Sequence, residues 1–296
     1  MTQKGSPLFA IYVAAIFSIT LWGFSFLWTN QLIHKDIPIF TFIFIRLAIA
    51  GILLLLFSKI TGKLQKVETA DYKWLFLMAF CEPFLYYIGE SFGMKSTGSA
   101  IITAVIISTI PIVCFIYERF FINKKMGIVK ISGIIITLPG IIMVVADGSK
   151  ITLEHFYGLA LLIMAVFAAV GFSVYAKRLT SKYNSFTIAT YQFLIGAVLF
   201  FPTFLTHGID GVNKDFFTAE VMIPLLTLAL LCSCLCFVLW ISVIRRIGIT
   251  RTNTFSALVP AISAIGASLM GDEILSPIRI AGIAIVIIGV IMVQRD

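Results

Sequence analysis

Charge is scarce in this chain. Asp, Glu, Lys and Arg make up 12% of its 296 residues, against 60% hydrophobic residues, and the mean hydropathy is +1.05. Soluble domains carry about 25% charged residues, so an aqueous globular fold is excluded. Long polar stretches are missing too. The longest, 59–73 and 206–218, are too small for a separate folded domain, and there is no low-complexity segment. The three histidines, His34, His155 and His207, fall between the apolar runs, which argues against an intramembrane metalloenzyme. Residues 93–98 include Lys95, Ser96 and Thr97 but lack the spacing and strand-to-helix context of a phosphate loop, so a nucleotide-driven pump is disfavoured. The five cysteines, Cys81, Cys114, Cys232, Cys234 and Cys236, all lie in apolar segments and define neither a disulfide framework nor a redox compartment. Cys232, Cys234 and Cys236 are spaced like a metal cluster, but on a helix the middle one points away and no His is near. No metal site, cofactor or catalytic constellation is therefore expected, and the chain is read as a non-enzyme.

What the chain does have is apolar length. At ~20 residues per crossing, ten spans fit, near 8–33, 37–58, 74–94, 99–121, 127–146, 156–177, 185–205, 219–244, 251–271 and 277–294. The first run continues past Trp28, too long for a removable signal peptide. With a cytoplasmic N-terminus, the inner segments hold Lys4; Lys59, Lys63, Lys66, Lys73; Arg119, Lys124, Lys125, Lys130; Lys177, Arg178, Lys182; Arg245, Arg246, Arg251; and Arg295. The outer segments hold only Lys35, Lys95, Lys150, Lys214 and Arg279. This bias never reverses along the chain, which predicts both termini inside. It also accounts for the net charge of +8 without nucleic acid. The lipid bilayer is the partner this pattern calls for.

The chain also repeats itself. Residues 133–144 read GIIITLPGIIMV and 282–293 read GIAIVIIGVIMV, pairing Gly133 with Gly282 and Gly140 with Gly289. Glycines seven apart share a helix face and let another backbone approach closely. The same offset pairs Pro111 with Pro260. Gly23-Phe24-Ser25 matches Gly171-Phe172-Ser173, and Phe40-Thr41 matches Phe186-Thr187, which sets Arg46 against Gln192. An odd number of spans per copy turns the second copy upside down. The expected architecture is therefore an all-α polytopic membrane protein of ten transmembrane helices, built from inverted five-helix repeats at 1–147 and 148–296, a simple route to alternating access.

Trp22-Gly23 in the first span, Arg46 midway in the second, Pro111 and Pro260, and Gly-x6-Gly in spans five and ten resemble the EamA family of the drug/metabolite transporter superfamily. The resemblance covers almost the whole chain. It implies a secondary carrier of small organic solutes, often an exporter, in the cell membrane (for a bacterium, the inner membrane). The family usually has an acidic residue near the end of the fourth and ninth spans. Glu273 fits the second, but the matching first-half position is Lys124, with Glu118 six residues before it.

Ionisable groups at bilayer depth are costly and face a cavity or a partner. Span three has Glu82 and Glu90, which share a helix face with Tyr86, Gly89 and Gly93 at the 3.6 period. The functional reading makes this stripe a wall of the central path, with Glu90, or Glu82, binding a cationic group or a coupling proton. The bland reading has one of them capping or pairing with Arg46, and Glu82 serving a kink before Pro83. Arg46 itself could hold a substrate carboxylate or phosphate, snorkel, or be the counter-ion of Glu82 or Glu90. The internal pair is preferred, since two acids and one base leave a net carboxylate. Gln192 fits a pore or a helix contact equally. Trp22, Ser25 and Thr29 on one face of span one, Ser173 and Tyr175 on span six, and Trp240 offer aromatic rings and hydroxyls for an organic substrate. In span nine, Asn253 is a site candidate, whereas Ser256 and Ser263 read as packing residues.

These features lead to a carrier that rocks two halves around a midplane cavity, moving a small-molecule substrate such as an amino acid or amine, with Glu90 the leading proton-coupling candidate. Alternatives are a flippase of a lipid-linked intermediate, which needs a cavity open sideways to lipid, and a lipid-modifying membrane enzyme. The enzyme requires acidic or His residues gathered at one interface, and none are gathered there. Substrate identity, direction of transport and oligomeric state are not encoded legibly.

Overall fold

The computed structural model describes residues 8–121, 127–147, 152–271 and 275–294. Lys124 and Glu273, the two positions weighed as family acids, lie outside the described residues. The described chain is helical, without strands: α1 (Leu8–His34), α2 (Ile39–Ile60), α3 (72–97), α4 (Ala100–Phe121), α5 (Ile128–Ala146), α6 (Leu153–Leu179), α7 (Ser185–His207), α8 (Ala219–Ile247), α9 (Ile249–Met270) and α10 (Pro277–Gln294). Eight of these are long and apolar enough to cross a bilayer. The apolar part of α10, Pro277–Val293, is shorter, and α3 carries the two carboxylates. His34 and His207 stand in the last turns of α1 and α7, and His155 in the first turn of α6, rather than in loops.

Four helices are interrupted, and proline explains three of the breaks. A proline lacks the backbone N–H, and its ring clashes with the carbonyl four residues back. In α3, regular helix stops at Ala79, four before Pro83. Glu82 is then extended (φ −144°, ψ 114°) inside a widened π-type segment, Phe80–Leu85, before helix resumes at Tyr86. In α4, helix stops at Ile107, four before Pro111. In α9, a 3-10 stretch, Thr254–Leu258, precedes Pro260. The fourth break, Leu228–Leu235 in α8, is π-type without a proline. Such π-segments often lie at functional sites.

The glycines expected to admit a close neighbour do so, and that neighbour is the other copy of the same sequence. A Cβ on Gly133 would lie 2.6 Å from the carbonyl O of Gly289, and one on Gly289 would lie 2.7 Å from that of Gly133. Gly140 and Gly282 stand in the same relation, at 2.9 Å each way. Since 133 corresponds to 282 and 140 to 289, the contacts exchange when the copies are swapped, the pattern of an isologous two-fold interface. Ile135, Leu138 and Ile142 of α5 and Ile288 of α10 are exposed, as suits a lipid-facing back.

Gly89 and Gly93 pack against α6 instead of lining a path. A Cβ on Gly89 would lie 2.5 Å from the carbonyl O of Leu161, and one on Gly93 would lie 3.0 Å from that of Gly158.

At one end of the bundle a polar tether ties the α2–α3 loop to the α6–α7 corner. Lys182 Nζ donates to Asp71 (2.8 Å) and Glu68 (3.0 Å), Tyr183 Oη donates to Asp71 (2.8 Å), and Asn184 Nδ2 donates to the carbonyl of Lys63 (2.7 Å). The hydrogen bonds from Lys182 and Tyr183 hold the Asp71 carboxyl below its ordinary pKa. The same bonds to Asp71, then Glu68, raise that of Lys182. The opposite end is tied by the exposed pair Lys35–Glu220, by Thr41 Oγ1 donating to the Gly208 carbonyl, and by Asp147, which pairs with Arg279 (3.3 Å) and accepts from Ser276.

Candidate functional site

Beside the break in α3 lies a cavity of about 60 Å³ whose wall draws on both halves of the chain. Extended backbone at Glu82 releases α3 from its helical register. As a result Glu82, Tyr86, Tyr87 and Glu90 all reach the cavity. Helix α1 contributes Trp22 and Ser25, α2 contributes Arg46, and α8 contributes Phe237 and Trp240. Phe172 and Ser173 of α6 and Asn253 and Ser256 of α9 also line it. Glu82, Glu90, Arg46 and Asn253 are all buried, at 8%, 4%, 5% and 4% exposure, so whatever charge they carry is directed into this space.

Arg46 differs from the preferred sequence reading. No ion pair joins it to Glu82 or Glu90 among the described residues. Its Nε donates to Ser233 Oγ (2.8 Å) inside the break of α8, and its guanidinium lies 4.4 Å from the ring centroid of Tyr87. The planar cation is held by a hydroxyl and a π-face, which leaves the carboxylates directed at the cavity instead of neutralised by contact. Gln192, its repeat mate, is fully buried and outside the cavity. It donates from Nε2 to the backbone carbonyl of Glu82 (3.0 Å). Each mate therefore reaches across to the break in the other half, Arg46 by charge and Gln192 by an amide.

Trp22 is fixed by its indole Nε1, which donates to the Cys232 carbonyl (3.1 Å) in the π-type segment of α8. Its ring meets Trp240 edge-on at 4.9 Å and Phe237 at 5.1 Å. Ser25 and Ser256 donate to backbone carbonyls of their own helices, Trp22 and Asn253 (both 2.7 Å). Asn253 Nδ2 bonds Cys114 Sγ and Ser173 Oγ, each at 3.2 Å, joining α9 to α4 and α6. One turn below, Thr250 Oγ1 donates to Glu118.

The structure thus gathers Trp22, Ser25, Arg46, Glu82, Tyr86, Glu90, Trp240 and Asn253 around one cavity, and leaves Tyr175 and Gln192 out of it. Tyr175 lies across α6 in an apolar groove against α4. The sequence reading missed Tyr87 and Ser233. The available signal for Tyr87 was its place three residues before Glu90 in regular helix, a spacing that shares a face.

The EamA-like transporter family matches residues 9–146 and 156–295. This chain belongs to that family. The family is part of the drug/metabolite transporter superfamily, and this EamA-like transporter is a multi-pass membrane protein. An uncharacterized transporter of Archaeoglobus fulgidus is 23% identical over 96% of this chain and 98% of its own length. A protein of Streptantibioticus cattleyicolor named "Probable terminal-alkyne amino-acid exporter" is 24% identical over 65% of this chain and 63% of its own length. A solved crystal structure shares the fold with a TM-score of 0.73 and 14% identity, covering 96% of this chain and 97% of that one.

Proposed function

We propose that this transporter is a secondary carrier that exports small organic metabolites, amino acids or amines, by alternating access around the central cavity. In this reading all ten helices cross the membrane, both termini are cytoplasmic, and residues 1–147 and 148–296 are inverted five-helix repeats. The observation that carries it is the composition of the cavity wall. Two carboxylates and one arginine, with the arginine occupied by Ser233 and Tyr87, leave an acidic, aromatic-lined chamber suited to an organic ammonium group. The Streptantibioticus relative's printed name supports amino-acid-like substrates. The exchanging glycine contacts of α5 and α10, and the paired breaks in α3 and α8, support two halves that exchange conformations.

Glu90 is the proposed coupling group. A buried carboxylate that alternately binds a proton and an ammonium group links their gradients by competition for one site. The test is flux of amino acids and amines in proteoliposomes across an imposed pH gradient. The reading requires flux that follows the gradient and is lost in Glu90→Gln; flux indifferent to pH and equal in the variant removes Glu90 from coupling. Labelling the two ends from opposite sides of the membrane tests the topology, which fails if they lie in different compartments.

A further inference from the structure

The cavity is small for its proposed task. Its 60 Å³ has room for a few water molecules, or for an ammonium group and little more. A second space lies immediately across α6: a groove of about 560 Å³ between α4 and α6, a volume in the usual range for a ligand site. The two share one stretch of α6. Ala169, Phe172 and Ser173 face the cavity, whereas Val170, Gly171 and Val174 face the groove. The groove is apolar apart from two tyrosine rings, and Phe167, Phe120 and Phe121 at its edges are exposed at 60%, 75% and 74%. In a membrane protein these exposed rings meet acyl chains, so the groove is entered from lipid.

The barrier between the two spaces includes Asn253, whose Nδ2 bonds Cys114 of α4 and Ser173 of α6. One of these bonds is to a thiol, a weak acceptor, so separating α4 from α6 at this level costs little hydrogen bonding. Resting on the carrier reading above, we propose that the substrate is amphipathic: its ammonium head sits in the central cavity while its apolar tail passes between α4 and α6 into the groove. Asn253 is then the latch that the tail displaces. The groove suits the tail because it is large, apolar, open to lipid and one helix face from the carboxylates.

The test uses the purified full chain in lipid nanodiscs, titrated with butylamine and with decylamine, with binding read from the change in tryptophan emission, to which Trp22 and Trp240 of the cavity wall contribute. Both amines should bind, and Glu90→Gln should weaken both. Six extra methylenes buried in an apolar site should tighten decylamine by roughly 100-fold or more. Val174→Phe and Val113→Phe, which fill the groove without touching the cavity, should remove at least about ten-fold of that gain and leave butylamine unchanged. Two outcomes overturn the inference and leave the carrier reading standing. One is equal affinity for the two amines, as when bilayer phospholipid is the groove's sole occupant. The other is a tail gain that survives in both filled variants, which places the tail in bulk lipid. Failure of both amines to bind overturns the amine-binding cavity itself.

Discussion

Two regions of this transporter differ in how far the two halves of the chain match. Along the α5–α10 seam the copies agree: Gly133 meets Gly289 as Gly282 meets Gly140. Around the breaks of α3 and α8 the two halves differ. Regular helix resumes at Tyr86 in one and Cys236 in the other. In that register Glu82, Tyr86 and Glu90 answer to Cys232, Cys236 and Trp240. One half brings acids to the cavity, and α8 of the other brings the rings of Phe237 and Trp240. Close backbone packing admits only one solution, glycine, so the seam stayed symmetric. A cavity wall needs two kinds of chemistry on its two sides, so the walls did not.

The largest effects should fall on the seam and should come in equal pairs. Gly133→Val and Gly282→Val each force a side chain into a backbone carbonyl, and overpacking of this kind costs ~1–3 kcal/mol or more. Both should sharply reduce the yield of monodisperse protein in detergent, and a tolerated member of the pair would break the symmetry. At the walls the mates should differ. Glu90→Gln should cut transport by about 100-fold, whereas Trp240→Phe should cost about ten-fold or less, read as flux per folded molecule. Equal losses would mean that the acid has no special part.

A smaller difference should separate Arg46→Lys from Gln192→Glu. Lysine keeps the charge but loses the planar fork and much of the stacking on Tyr87, so Arg46→Lys should lower substrate affinity several-fold. Gln192→Glu sets a carboxylate against the Glu82 carbonyl and should lower thermal stability more than affinity, read as Tm against Kd.

The smallest effect belongs to the tether. Asp71 is held below its ordinary 3.8, so its contribution is present above that pH and lost only as pH falls through the lowered value. Lys182 is held above 10.5, so its contribution persists below that pH and is lost only as pH rises past the raised value. Between about pH 4 and 10 the tether should not respond to pH. Asp71→Asn should lower Tm by a few degrees at most and leave any pH dependence of transport near neutrality unchanged. A shifted transport profile in this variant would move part of the pH response from the cavity to the tether.

Much of this was legible in the chain. Scarce charge and long apolar runs require helices, since lipid leaves a backbone no other partner for its polar groups. The matching glycines announced a close contact before its partner was visible. Eight of the ten candidate site residues share the cavity because a buried polar group on a membrane helix has few other places to go. The exceptions are instructive. Tyr175 sits two residues from Ser173, too near in sequence to be told apart by type, yet on the far side of α6. Gln192 was set against Arg46 by the repeat spacing, but its bond is to the backbone carbonyl of Glu82 at the break, and side-chain identities carry no record of such a carbonyl.

The sequence by itself determined the solvent, the helical class, the matching glycine stretches of the two halves and the acidic, aromatic residues available to the interior. All of these follow from local composition and spacing. Tertiary structure alone decided that Arg46 spends its donor on Ser233 and not on Glu82 or Glu90, that Tyr87 joins the wall, and that α6 has a cavity on one face and a groove on the other. Those outcomes depend on how far a broken helix rotates and which neighbour it meets, and both are set by packing between residues distant in the chain.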